Sequence, residues 1–248
     1  MNSVRTMLLA LLLGAATLPA LAQAQYTPPP VTVTNPLSKV TYHYKWQVYV
    51  GMAYSNFIAG PQLVQGASLG GTDAQVVRFL NPKWGIVGNY RGYFGTSGVE
   101  PNYYNIRGPF VSEQMALLGP EYRLIANKHL SVNAHALFGA AYGNFQRATA
   151  PLTRQEVQYQ LGLFADQWAP GAAIGGALTM NRNAHWAFRV EPDATLTRFT
   201  HPGGPDGIQY QFAFSVGVVY RFVPRPKKPT AQKAALEKKH HIRFLHPF

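Results

Sequence analysis

The 248-residue sequence contains no cysteine. Disulfides, thiolate metal sites, cysteine nucleophiles and a lipid anchor on an N-terminal cysteine are therefore excluded. Charge is scarce as well: Asp, Glu, Lys and Arg make up 13% of the residues, where a soluble domain carries about a quarter. No later segment offers the roughly 20 continuous apolar residues of a transmembrane helix. The hydrophobic fraction is nonetheless an ordinary 47%. A chain this poor in charge has little to keep a large surface in water. What it has in quantity is glycine (23), tyrosine (14) and phenylalanine (14), residues suited to tight strand turns and membrane interfaces.

The formal charge of +12 is unevenly placed. Residues 223–248 hold Arg225, Lys227, Lys228, Lys233, Lys238, Lys239 and Arg243 against Glu237 alone, a balance of +6. Between Thr41 and Phe222, 13 basic residues meet 9 acidic ones, leaving only +4. The high pI thus describes a tail, and no nucleic-acid partner is expected.

Arg5 precedes the apolar run Met7–Leu13, and Ala20-Leu21-Ala22 and Ala22-Gln23-Ala24 follow. A positive end, a short apolar core and small residues at A-x-A spacing form a secretory signal, expected over 1–24. Residues 25–41 are rich in Pro, Thr and Val and read as an extended linker.

From Trp46 the pattern has period two. Trp46, Val48, Val50, Met52 and Tyr54 share one face; Gln47, Tyr49, Gly51, Ala53 and Ser55 share the other. The last segment is cleaner, with Tyr210, Phe212, Phe214, Val216, Val218, Tyr220 and Phe222 opposite Gln211, Ala213, Ser215, Gly217, Val219 and Arg221. Such alternation predicts strands between two unlike environments. The second face lacks the Lys and Glu of a solvent face, and its small residues suit a cramped barrel lumen. Six further strands are expected at about 73–80, 84–94, 112–124, 129–143, 165–180 and 185–198. Short junctions at Asn81-Pro82-Lys83, Asn127-Lys128 and Asn181-Arg182-Asn183 alternate with long ones at 57–72, 95–111, 144–164 and 199–208. That alternation predicts an all-β, antiparallel, up-and-down transmembrane barrel of eight strands over 42–222. Pro120, Pro170 and Pro192 fall inside these strands and are expected at bulges or strand ends.

These residues resemble the small bacterial outer-membrane β-barrels, OmpA-like or OmpX-like proteins of the porin family. The resemblance covers about 42–222. It rests on the last strand, where Ser215, Gly217, Tyr220 and Phe222 match the polar–x–Gly–x–x–aromatic–x–aromatic pattern of such barrels, and on hairpin texture such as Trp84–Gly95. It implies insertion by the barrel assembly machinery and contact with outer-membrane lipid; eight strands put both termini on the short-turn side, expected to be periplasmic. In the family the aromatic usually ends the barrel, whereas 26 residues follow Phe222 here. They are too few for a peptidoglycan-binding domain.

Phasing each strand by its apolar face places Arg91, Glu121, Arg123, His135, Arg189, Glu191, Asp193 and Arg221 inside. Ionised groups in a narrow lumen must pair or be costly, so a salt-bridged plug is expected. The first functional reading is a structural or interaction barrel of the cell envelope. A narrow porin-like channel is the second, and a surface adhesin acting through the long loops is the third. No catalytic residue, metal or cofactor is expected. Nothing matches the His-Ser pair of lipid A deacylases, since His135 is phased inward near Ser131. His240, His241 and His246 lie in the basic tail without a carboxylate cluster. The segment Thr230–Leu245 is a candidate helix. The tail's charge suits peptidoglycan or anionic lipid. A monomer is expected.

Overall fold

The computed structural model describes residues 35–61, 63, 66–201 and 207–224. The expected signal segment, most of the linker and the tail from 225, with its histidines, lie outside the described residues. The described part of the linker is not uniformly extended: Pro36–Lys39 form a single 3-10 turn, capped by the Asn35 side chain accepting from Leu37 N at 3.0 Å.

Eight antiparallel strands follow: β1 (Trp46–Phe57), β2 (Ala67–Phe79), β3 (Trp84–Thr96), β4 (Phe110–Ala126), β5 (Leu130–Arg147), β6 (Gln167–Asn181), β7 (Trp186–Thr197) and β8 (Gln209–Arg221). Each pairs with its sequence neighbours, and β1 pairs with β8, so the sheet closes into a barrel without edges. A helix, α1 (Arg154–Leu161), interrupts the connection between β5 and β6.

Three of the connections are tight, and one device builds all of them. The Asn81 side chain accepts from the N–H groups of Lys83 (2.9 Å) and Trp84 (2.8 Å). Asn127 does the same for His129 and Leu130, and Asn183 for His185 and Trp186. A short polar side chain thus replaces the backbone acceptor that a tight turn lacks. All three turns lie at one end of the barrel, and the connections at the other end are longer.

The outer face is apolar. Val50, Met52, Leu118, Phe138, Phe188, Phe212 and Val216 are exposed on it. Aromatic pairs collect towards the ends: Trp84–Tyr122 at 4.7 Å, Trp186–Tyr220 at 4.8 Å and Tyr142–Trp168 at 5.1 Å between ring centroids. An apolar band between aromatic girdles on a closed sheet is the surface of a membrane barrel.

The strands are longer than the sequence suggests. β2 begins at Ala67 rather than at 73, because Gly70, Gly71 and Thr72 pair across to Phe94, Tyr93 and Gly92. Two of the three prolines also depart from expectation. Register runs unchanged past Pro120 and Pro192; the ladder to one neighbour skips them, while pairing with the other neighbour continues. Each therefore costs a ladder hydrogen bond and no bulge. Pro170 lies just beyond the last β6–β7 pair, Gly171↔Thr197. The true register shifts are elsewhere, between Phe110 and Ser112 and between Arg123 and Ile125. Nor is the inner face uniformly small. β6 presents Ala169, Ala173 and Ala177 inward, whereas Tyr49, Phe57, Tyr93, Met115, Leu137 and Phe145 are large and fully buried.

Candidate functional site

Alternation delivers one side chain in two to the lumen, and the lumen is where the polar chemistry of this barrel is concentrated. Among the described residues it buries four arginines (Arg91, Arg123, Arg189, Arg221), five carboxylates (Asp73, Glu113, Glu121, Glu191, Asp193) and His135. They lie in tiers along the barrel.

At the long-loop end the tier is apolar. Phe57, Phe145 and Phe199 pack with centroids 5.2–6.0 Å apart, and Phe164 joins them at 5.7 and 5.9 Å. Helix α1 leads Phe164 into place. Thr153 and Glu156 form a capping box at its start, and Gly162 ends it in the left-handed region (φ 67°). Its Val157 and Leu161, and Leu163 after it, are buried, and Phe164 N donates to Ala59 O at 2.9 Å. Below the phenylalanines Gln211 donates to Glu113 (3.2 Å) and Thr197 (3.0 Å).

The middle tier is a continuous hydrogen-bonded network. Tyr49 OH donates to Ser215 Oγ (2.9 Å), which donates to Asp73 (3.0 Å). Asn89 joins the other Asp73 oxygen (2.6 Å) and accepts from Arg91 Nε (2.8 Å). Arg91 reaches Glu191 at 3.2 Å and also binds Asp193. His135 Nε2 lies 3.0 Å from Asp193 and 3.8 Å from Glu191. Gln75 donates to Glu191 and accepts from Arg189 at 3.3 Å; Arg189 Nε donates to Thr179 at 3.1 Å.

At the tight-turn end, residues preceding β1 fold across the lumen. Tyr42 OH donates to Asn127 O (2.8 Å) and accepts from Asn181 Nδ2 (2.8 Å). The Arg123 guanidinium stands 4.6 Å from the Tyr42 ring, 5.3 Å from Tyr44 and 4.1 Å from Phe79. Arg221 stands 5.6 and 5.3 Å from the same two tyrosines. Burial pushes the Tyr44 hydroxyl above its ordinary pKa, while the nearby charges of Arg221, Arg123 and Arg189 pull it down.

Of the residues singled out from the sequence, Arg91, His135, Glu191 and Asp193 meet in the middle tier, and Arg189 joins them through Glu191. Glu121 accepts from Asn133 (2.5 Å) instead of from an arginine. Arg123 and Arg221 belong to the tyrosine tier and form no salt bridge among the described residues. Sequence phasing missed Asp73 and Glu113, although Asp73 shares its parity with Gln75 and Val77, and Glu113 with Glu121. It also missed the neutral linkers Gln75 and Asn89, and Tyr42 and Tyr44, which precede the strand and carry no period.

The residues read as an assembly signal divide between the two faces. Ser215 is inside the network, Gly217 opposes Gly51 across the β1–β8 seam, and Tyr220 lies on the outer face with Phe222 5.0 Å away.

His135, Glu191 and Asp193 offer ligand atoms within 4.8 Å of one another, a donor set that could hold a divalent ion. Both carboxylates already bind Arg91, so a cation there would stand against a guanidinium. No serine is hydrogen-bonded to His135 among the described residues; Ser215 is held by Tyr49 and Asp73.

No family model matches the sequence, and no curated protein matches it. Similar solved structures include Ail, the attachment invasion locus protein of Yersinia pestis (TM-score 0.45, 16% identity, 72% of this chain and 99% of that chain). Others are OprG of Pseudomonas aeruginosa (0.47, 13%, 75% and 98%) and Neisserial surface protein A (0.46, 9%, 71% and 97%). At such scores and identities, what those proteins do does not carry over to this chain.

Proposed function

We propose that this chain is a bacterial outer-membrane barrel with a closed lumen and a structural or interaction role in the cell envelope. The observation that carries this reading is the succession of three tiers across one narrow bore: phenylalanines, an ion-paired network, and tyrosines against arginines. An eight-stranded barrel leaves room for little beyond its own side chains. The Arg91–Glu191–Asp193 group is buried and bonded on several sides, the condition under which charges in a membrane protein persist. The tight turns suit the periplasmic side, with the longer loops outside. Both termini then face the periplasm.

Planar-bilayer recording of the purified barrel tests the closed lumen. We expect no stable conductance steps. Stable openings of porin size would contradict the reading. Small, anion-selective steps would favour a narrow channel instead, which the arginines at the tight-turn end would suit.

A further inference from the structure

The tight-turn tier holds more positive charge than its protein partners balance. Arg221 is wholly buried, yet among the described residues none of its three guanidinium nitrogens has a hydrogen-bond partner. Among the described residues Arg123 donates to Pro82 O and Tyr44 OH but leaves Nε unpaired; Arg189, which borders this tier from the middle one and faces Glu191 there, leaves Nη2 unpaired. Gln47, directly across the seam from Arg221, uses its oxygen to accept from Tyr44 OH and leaves Nε2 without an acceptor. Glu121 is the carboxylate of this tier: Oε1 accepts from Asn133, Oε2 has no hydrogen-bond partner among the described residues, and its one charge faces both Arg123 and Arg221 without a salt bridge to either. Tyrosine faces attract a guanidinium but give its N–H groups no oxygen to bond. Buried donors left without acceptors cost free energy, and a charged one costs most.

We propose that this end of the lumen binds a small, free oxyanion of the phosphate class, held by Arg221, Arg123, Arg189 and the Gln47 amide. Guanidinium groups and oxyanions match in charge and in bidentate geometry, and such bonds are among the strongest in proteins. Excess donors and excess positive charge occur together here, and one oxyanion satisfies both. A lipid phosphate has no lateral route in, because the wall is hydrogen-bonded all round. Tyr42 and Tyr44 bar the end against anything tethered to acyl chains. The site lies within the closed lumen proposed above, but its test is binding rather than conductance, so the two readings can fail separately.

The full chain is refolded in phosphate-free detergent and titrated with inorganic phosphate, followed by phosphorus-31 NMR and thermal unfolding. Sodium chloride at matched ionic strength is the control. We expect exchange broadening of the phosphate line and a rise of about 3 °C in unfolding temperature beyond the chloride effect. R221Q should abolish both. Q47E is the second variant, since it supplies a carboxylate opposite Arg221 from within the protein. It should fold without phosphate and bind the anion at least about tenfold more weakly, a loss of ~1.4 kcal/mol. A wild-type protein that responds equally to chloride and phosphate, or a Q47E barrel that responds like wild type, would overturn the proposal.

Discussion

A Cβ added at Gly217 would lie 2.2 Å from Val50 O and 2.4 Å from Gly51 Cα. Both are backbone atoms, so neither can swing aside. Across the seam, Tyr49 folds its ring over Gly51, where an added Cβ would meet the hydroxyl at 2.3 Å. The paired glycines let the strands that close the barrel approach and let Tyr49 reach Ser215. Two accounts of Gly217 therefore compete, recognition by the assembly machinery and packing at the seam, and G217A separates them. Packing predicts a defect of about 2 kcal/mol, the usual scale of overpacking, even when the variant refolds in detergent without cellular factors. Normal refolding in detergent with failed assembly in cells would favour recognition. The parity that places Gly217 inward was legible in the sequence. Its contact with Val50 was not, because that contact depends on the register between the first and last strands. Asp73 went unnoticed for a related reason: it opens a segment whose preceding glycines look like a loop.

At the scale of elements, the tight turns were legible and the long connections were not. Asn81, Asn127 and Asn183 act through bonds to residues two and three places on, which sequence spacing exposes. Helix α1 is short and buries only Val157 and Leu161, so no apolar stripe announces it; its signal is the pair Thr153 and Glu156. Glu156 accepts from the Thr153 N–H and hydroxyl, both at 2.7 Å, and these bonds hold its carboxyl below the usual glutamate range. A carboxyl depressed in the folded state stabilises above its unfolded pKa, and that contribution is lost as pH falls through the lower folded value. Amide exchange over 153–162, corrected for its intrinsic pH dependence, should thus quicken as pH drops below the ordinary glutamate range. In E156Q the same segment should show no such pH dependence. An acid-sensitive loop in E156Q would assign the effect to another group.

At the scale of the whole molecule, the scarcity of charge and the alternation of faces have one cause. The outside meets lipid and the inside meets other side chains, so neither face has a use for solvent-directed lysine and glutamate. Eight strands, their order and their closure could be read from that pattern. The division of the lumen into an aromatic tier, an ion-paired tier and an arginine–tyrosine tier could not, because it arises from residues far apart in sequence meeting across the bore. Gln75 bonding Glu191, and Arg123 under Tyr42, are such meetings. Two such faces require a membrane barrel. The most direct measurement is membrane fractionation of the expressed protein, followed by gels of unheated and boiled samples. We expect a salt-resistant membrane protein whose unheated form migrates apart from the boiled one, because a closed barrel resists detergent until heated. A soluble protein with a single mobility, heated or not, would contradict it.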